Sequence, residues 1–313
     1  MLVFVYEAGP CGFGIYRMLR AQGHACWVVA PSNTRRRLRD RIKTDRRDSL
    51  KLAGLARAGE LTPIYVPDPA DEAMRDLVRT REDAVAMQRQ ARHRPAALLL
   101  RNDLRYAGKT AWTDAHRRWI ARLTLPRPAQ RITFEEYVQT VNEATERVQR
   151  LTQAIAQELE HGRWRPVVNA LQACRGIQLI HAVRIVAELG DLARFSHPRQ
   201  LMGYLGLIPN ENSSGEQCHQ GAITKAGNSS ARRALVEAAW AYRTAAAVSP
   251  IIARRQTGLP KAAIDLAWKA QLRLCARFRQ LAARGLNRNK IVVAIARELA
   301  GFVWAIARQV KPL

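Results

Sequence analysis

Two short apolar runs rich in β-branched and aromatic residues, LVFVY at 2–6 and ACWVVAP at 25–31, flank AGPCGFG and a helical pattern that ends near His24. A tight hairpin cannot contain an intervening helix. The spacing therefore demands a crossover and predicts two parallel strands. A second helical pattern follows in TDRRDSLKLAGLARAGEL, through Leu50, Leu52 and Leu55, and TPIYVPD at 62–68 reads as extended. Strand, helix, strand, helix makes an α/β unit over 1–68. A parallel sheet is buried on both faces and needs more than two strands. Because the chain opens inside a strand, the expectation is an incomplete sheet, truncated at its N-terminus.

From residue 69 the pattern turns helical. ADEAMRDLVRTREDAVAMQRQARHR runs without a breaker to Pro95, which is expected to kink or end the helix near Arg94. FEEYVQTVNEATERVQRLTQAIAQELEHG forms a second long helix, with Val141, Ala144, Val148, Leu151 and Ile155 spaced as a short heptad seam. That seam suits either a dimerisation arm or an antiparallel hairpin within one chain. Beyond 162, ALQACRGIQLIHAVRIVAELGDL has the outline of two helices about a turn at Gly176, which would offer N–H groups to a phosphate backbone. A polar Gly/Ser/Asn-rich stretch at 203–228 reads as a structured loop at a working surface. The helix SARRALVEAAW follows, capped by Gly227-Asn228-Ser229. From Ile251 the chain is basic and helical. The fold class is α/β plus mostly α, with segments 1–68, 69–162 and 163–313.

Charge narrows the partners. The chain carries 51 Lys+Arg against 26 Asp+Glu, a net charge of +25. That excess implies a polyanion, nucleic acid first. A membrane surface is the competitor, but no run approaches a membrane span and no leader, amphipathic anchor or lipidation signal appears. The five cysteines are scattered without a CxxC pair, which argues against a zinc site or disulfide framework and for a reducing cytoplasm.

Within this basic field RIKTDRRDS, residues 41–49, keeps two acids. Asp45 and Asp48 stand i and i+3 on one face of a predicted helix. Salt bridging is the plain explanation. The alternative is chemical: Arg41, Lys43, Arg46 and Arg47 hold a polyanion, while the carboxylates hold a hard divalent cation. Such a cation wants several oxygen ligands, and Glu7, at the end of the first strand, is the natural third. Lys225, Arg232 and Arg233 crowd a helix N-terminus, a seat for phosphate. Ser214, in SSG, is a candidate nucleophile if positioned and deprotonated. AGPCGFG lacks the spacing and the GK[ST] ending of a nucleotide loop.

Together, YEAGPCGFGIYRML, DRIKTDRRDSLKLA, AGELTPIYVPD, LMGYLGLIPNENSSG and ITKAGNSSARRALVEAAWAYR resemble the IS110 family of insertion-sequence transposases, Piv-like DEDD enzymes, in order over nearly the whole chain. The resemblance implies a RuvC-like (RNase H fold) domain, a coiled-coil insertion and a C-terminal transposase domain. It maps the family's glutamate to Glu7, its DxxD pair to Asp45 and Asp48, and its nucleophilic serine to Ser214. Ser213 is adjacent, so that last choice rests on the following glycine. It further implies Mg²⁺ or Mn²⁺ on the acids and a covalent phosphoserine–DNA link. Double-stranded DNA, a structured noncoding guide RNA and a dimer or tetramer are the implied partners, in the cytoplasm at the nucleoid. The family's first-strand aspartate has no counterpart, so this form is expected to fold poorly at its N-terminus and to be weak or inactive. A junction nuclease using the acids alone, or a non-catalytic DNA/RNA-binding remnant, are the competing readings.

Overall fold

The computed structural model describes residues 2–31, 34, 44–214 and 217–313. It divides into two compact units, Met1–Pro69 and Ala70–Leu313.

In the first unit, strands β1 (Val3–Glu7) and β2 (Ala25–Val29) are joined through helix α1 (Gly14–Ala21), and helix α2 spans Asp45–Arg57. The strands pair in parallel, from Val3 opposite Ala25 to Glu7 opposite Val29. The predicted crossover is thus present. The turn after β1 is tied by the Tyr6 hydroxyl, which donates to the Gly12 carbonyl at 3.0 Å. Pro63 bridges Val29 in antiparallel fashion, and the Ile64 N–H donates to the Val28 carbonyl at 2.7 Å. β2 therefore has neighbours on both sides and buries Cys26, Val28 and Val29, whereas Leu2, Val3 and Phe4 remain exposed.

The second unit begins with two long helices, α3 (Pro69–Arg101) and α5 (Pro128–His161), with the short helix α4 (Asp114–Ala121) between them. Arg81 donates to Thr152 at 2.7 Å, Gln88 to Thr145 at 2.9 Å, and Gln130 to Asn102 at 2.9 Å. Partner numbers fall on α5 as they rise along α3, so the helices form an antiparallel hairpin about 50 Å long at 1.5 Å per residue. Val141 and Ile155 are fully buried within it. The heptad seam is closed inside the chain and is no argument for dimerisation. Of the two outcomes expected at Pro95, a kink or an end, the end is not met: Pro95 lies inside α3. It is buried, and beyond it Leu98 and Leu99 are anchored with Leu125 and Phe134 in a separate apolar cluster at the tip. That packing offsets the roughly 3 kcal/mol a helix-interior proline costs.

The main core lies in α6 (Arg165–Leu171), α7 (Leu179–Leu189), α8 (Pro198–Tyr204), α9 (Ser229–Ala239), α10 (Pro250–Gln256), α11 (Lys261–Ala283) and α12 (Arg288–Ala307). On α12, Ile291, Ile295, Leu299, Val303 and Ile306 recur at helical spacing and are wholly buried. The turn between α6 and α7 is also interior. Cys174 and Ile177 are fully buried, and a Cβ on Gly176 would collide with the Ala238 carbonyl of α9. The phosphate-contacting role expected of this turn is corrected on that ground.

The stretch expected to be a loop is a β-hairpin. β3 (Pro209–Ser214) and β4 (Gln217–Ile223) pair antiparallel, with Ser214 opposite Gln217 and an irregularity in register between Pro209 and Glu211. Its two feet are sealed. The Thr224 N–H donates to the Ile208 carbonyl at 2.9 Å and the Lys225 N–H to the Gly206 carbonyl at 3.1 Å. Gly227 adopts φ 68°, and a Cβ there would strike the Tyr204 carbonyl oxygen. Gly227→Ala is expected to lower stability by about 3 kcal/mol or more, measured as a shift in the urea midpoint. Gly258→Ala places a side chain on the same left-handed backbone (φ 77°) but in open space, and is expected to cost only about 1 kcal/mol.

Candidate active site

In the first unit, the Asp45–Asp48 pair lies in the first turn of α2. Thr44 caps the helix by accepting from the Arg47 N–H at 3.4 Å. Carboxylates there also favour the positive end of the helix dipole, which is their plain structural role. Glu7 ends β1, where Thr34 donates to its Oε1 at 3.0 Å. Glu7 is distant in sequence from the two aspartates, yet all three acids line one open groove of about 650 Å³, together with Tyr6, Trp27 and Ser49. Arg46 and Arg47 are exposed on the same helix. Arg41 and Lys43 lie outside the described residues.

Carboxylate oxygens are the donors a hard divalent cation takes, so the residue types suit Mg²⁺. Among the described residues, no three His, Cys, Asp or Glu side chains stand close enough to hold a metal ion. Glu7 accepts from Thr34, and Asp45 and Asp48 stand three residues apart in the first turn of α2.

In the second unit, Ser214 is exposed at the end of β3, and its Oγ has no hydrogen-bond partner among the described residues. Its neighbour differs: Ser213 Oγ donates to Glu211 Oε1 at 2.7 Å. Residues 211 and 213 share one face of the strand and 214 the other. The two serines are therefore distinct in environment, which sequence adjacency hides.

The proposed phosphate seat is largely occupied from within. Arg232 Nη1 donates to the Leu205 and Ala226 carbonyls at 2.8 and 2.9 Å, closing the base of the hairpin. Burial lowers its pKa. Arg233 pairs with Glu82 at 3.2 Å and with Glu237 at 3.8 Å. Asn228 caps α9, accepting from the Ala231 N–H at 2.8 Å and donating to Glu188 at 2.6 Å. Arg232 thus spends Nη1 on protein backbone, while Lys225 is exposed with φ 56°. On the basic C-terminal helices, Leu274 and Phe278 are buried, Trp268 and Leu272 are exposed, and Arg273 and Arg277 face Glu298 at 2.7 and 3.6 Å.

Comparison with known proteins decides the ancestry. Residues 168–252 match the transposase IS116/IS110/IS902 family, and residues 1–102 match the DEDD transposases of IS110 type. The Sinorhizobium fredii protein y4qE, named as a transposase, is 47% identical over 308 residues, covering 98% of this chain and 76% of that protein. The chain belongs to the IS110 family of transposases. The transposase for insertion sequence element IS1533 of Leptospira borgpetersenii is 31% identical over 283 residues, 88% of this chain and 81% of that protein.

Transposases act on DNA, and a net charge of +25 suits that partner. No helix among the described residues is long and apolar enough to cross a membrane. Two residues of this IS110-family chain escaped sequence reading. Glu211 could have been found from its i, i+2 relation to Ser213, had a strand been recognised. Glu188 gave no local signal, because its partners Arg79 and Asn228 are distant in sequence.

Proposed function

We propose that this IS110-family transposase cuts and rejoins DNA with Ser214 as nucleophile and Glu7, Asp45 and Asp48 as metal-binding carboxylates. The observation that carries the reading is the convergence of those three acids on one groove. Exposure of Ser214 at a strand end supports its half of the chemistry. The serine oxygen attacks phosphorus, a deoxyribose oxygen leaves and takes a proton, and the reverse step on another strand rejoins the DNA. A divalent cation on the acids would neutralise charge on the phosphate and leaving oxygens. Arg46 and Arg47 would steer the backbone towards the groove. A guide RNA and a dimer or tetramer belong to the same reading.

The test is strand exchange by the purified full chain on duplexes bearing the ends of its own element. Chelation, or Asp45→Ala with Asp48→Ala, is expected to remove joined products while retarding gel shifts remain. Products that persist in the double variant without divalent cation would contradict the carboxylate half. Cleavage without any covalent protein–DNA species would favour a simple nuclease.

A further inference from the structure

The tip of the helical hairpin has a chemistry of its own. Residues 88–136 carry eleven Arg or Lys side chains against four acids, Asp103, Asp114, Glu135 and Glu136. In their midst is a pocket of about 390 Å³ between α4, the segment after it and α5. Its apolar lining includes Trp112, Ile120, Phe134 and Val138; Arg117, Arg131, Glu135, Gln139 and Asn142 contribute its polar part. That volume falls at the lower end of the range for small-ligand sites.

Trp112 is held unusually. Its φ of 63° puts a bulky side chain on left-handed backbone, a conformation that costs energy and concentrates at ligand clamps. Its N–H donates to His116 Nδ1 at 3.1 Å, and His116 is itself packed against Tyr106 and Trp119. The Arg92 guanidinium stands over the Trp112 ring, 5.8 Å from its centroid. Arg92 Nε is buried and has no hydrogen-bond partner among the described residues. Burial first, and then the like charge of Arg117, lower its pKa. Cations outnumber acids around the pocket, although Glu135 lines its wall, and the strained loop fixes an aromatic ring in this mainly cationic surround.

We infer that this pocket takes one unpaired base of a nucleic-acid strand, its flanking phosphates resting on the surrounding arginines. A phosphate gains nothing from an apolar, aromatic-lined slot, and an apolar peptide has no use for the cations. A nucleotide presents both chemistries. Bases in a duplex are stacked and cannot enter, so the strand must be unpaired there. The Gln139 and Asn142 amides suit the hydrogen-bonding edge of a base. Asn142 already accepts from Arg117 at 2.9 Å, which ties α4 to α5 and holds the pocket open. DNA and RNA share this chemistry. The inference is independent of Ser214 and of the acids.

Full-length protein is irradiated with oligonucleotides carrying 5-iodouracil, as DNA and as RNA, and the adducts are mapped. Adducts at Trp112 or Phe134 are expected, and the stronger of the two probes identifies the source. In parallel, Trp112→Ala should weaken binding of the unpaired strand about tenfold while duplex affinity stays within about twofold. Trp112→Phe should keep most of the affinity. Arg118→Ala, an exposed change on α4, should weaken unpaired and duplex strands alike. Should Trp112→Ala disturb the tip, Ala121→Leu at the pocket wall narrows the slot without touching the Trp112 loop and should weaken the unpaired strand alone. Adducts confined to other regions, or equal losses for unpaired and duplex strands in Trp112→Ala and Ala121→Leu, would overturn the inference.

Discussion

Ser214→Ala is expected to abolish the covalent protein–DNA species while leaving DNA binding intact. Removing the nucleophile of an enzyme that forms a covalent intermediate costs on the order of 10⁴–10⁶ in turnover. Ser214 is exposed and makes no hydrogen bond among the described residues, so its loss should not perturb the fold. Ser213→Ala serves as the internal control. It removes the hydrogen bond to Glu211 but lies on the opposite face of β3. Denaturing gels of DNA-bound protein should therefore show the adduct in Ser213→Ala and not in Ser214→Ala. The reverse pattern would move the nucleophile by one residue and make Glu211 its proton acceptor.

A second large effect is expected at a residue given no part in the DNA chemistry. Glu188 is 2% exposed and receives both Nε and Nη2 of Arg79, at 2.8 and 2.9 Å, besides the Asn228 amide. It therefore joins α3, α7 and the cap of α9. Glu188→Ala removes the buried acceptor of the Asn228 amide and the partner of Arg79, whose own side chain is half exposed, and is expected to cost about 2–3 kcal/mol. The drop in urea midpoint measures it. Burial by itself would raise the pKa of this carboxyl. Hydrogen bonds from Arg79 and Asn228 and the charges of Arg79 and Arg75 outweigh that, and the group is held below the usual range. A depressed folded pKa stabilises the protein above the unfolded value, about 4.3. That contribution fades as the pH falls from there through the folded value. The acid limb of the stability curve should thus flatten in Glu188→Gln, and an unchanged limb would show that other carboxylates dominate it.

What the sequence revealed was mostly local. The parallel pair followed from two β-forming runs about a helix, and α9 from Asn228 ahead of a periodic segment. The hairpin β3–β4 did not, because PNENSSGEQCHQGAI lacks the apolar alternation of a half-buried strand. Pairing there is set at the feet, through Gly206, Lys225 and Arg232, rather than by a buried face. Pro95 misled for the opposite reason: tertiary packing outweighed a local rule. For the candidate site, residue types and spacing offered Glu7, Asp45, Asp48 and Ser214 as candidates, and the family resemblance selected them, Ser214 over Ser213 by the glycine that follows. Arg232 could not be recognised as a backbone clamp, since a guanidinium suits carbonyls and phosphates equally well.

The most direct measurement is to trap the protein on DNA from its own element, digest the adduct, and locate the modified peptide by mass spectrometry. A nucleotide remnant is expected on the peptide containing Ser214, formed only with a divalent cation present. A remnant on any other residue would contradict the assignment of Ser214, and one formed on Ser214 without divalent cation would contradict the role given to Glu7, Asp45 and Asp48.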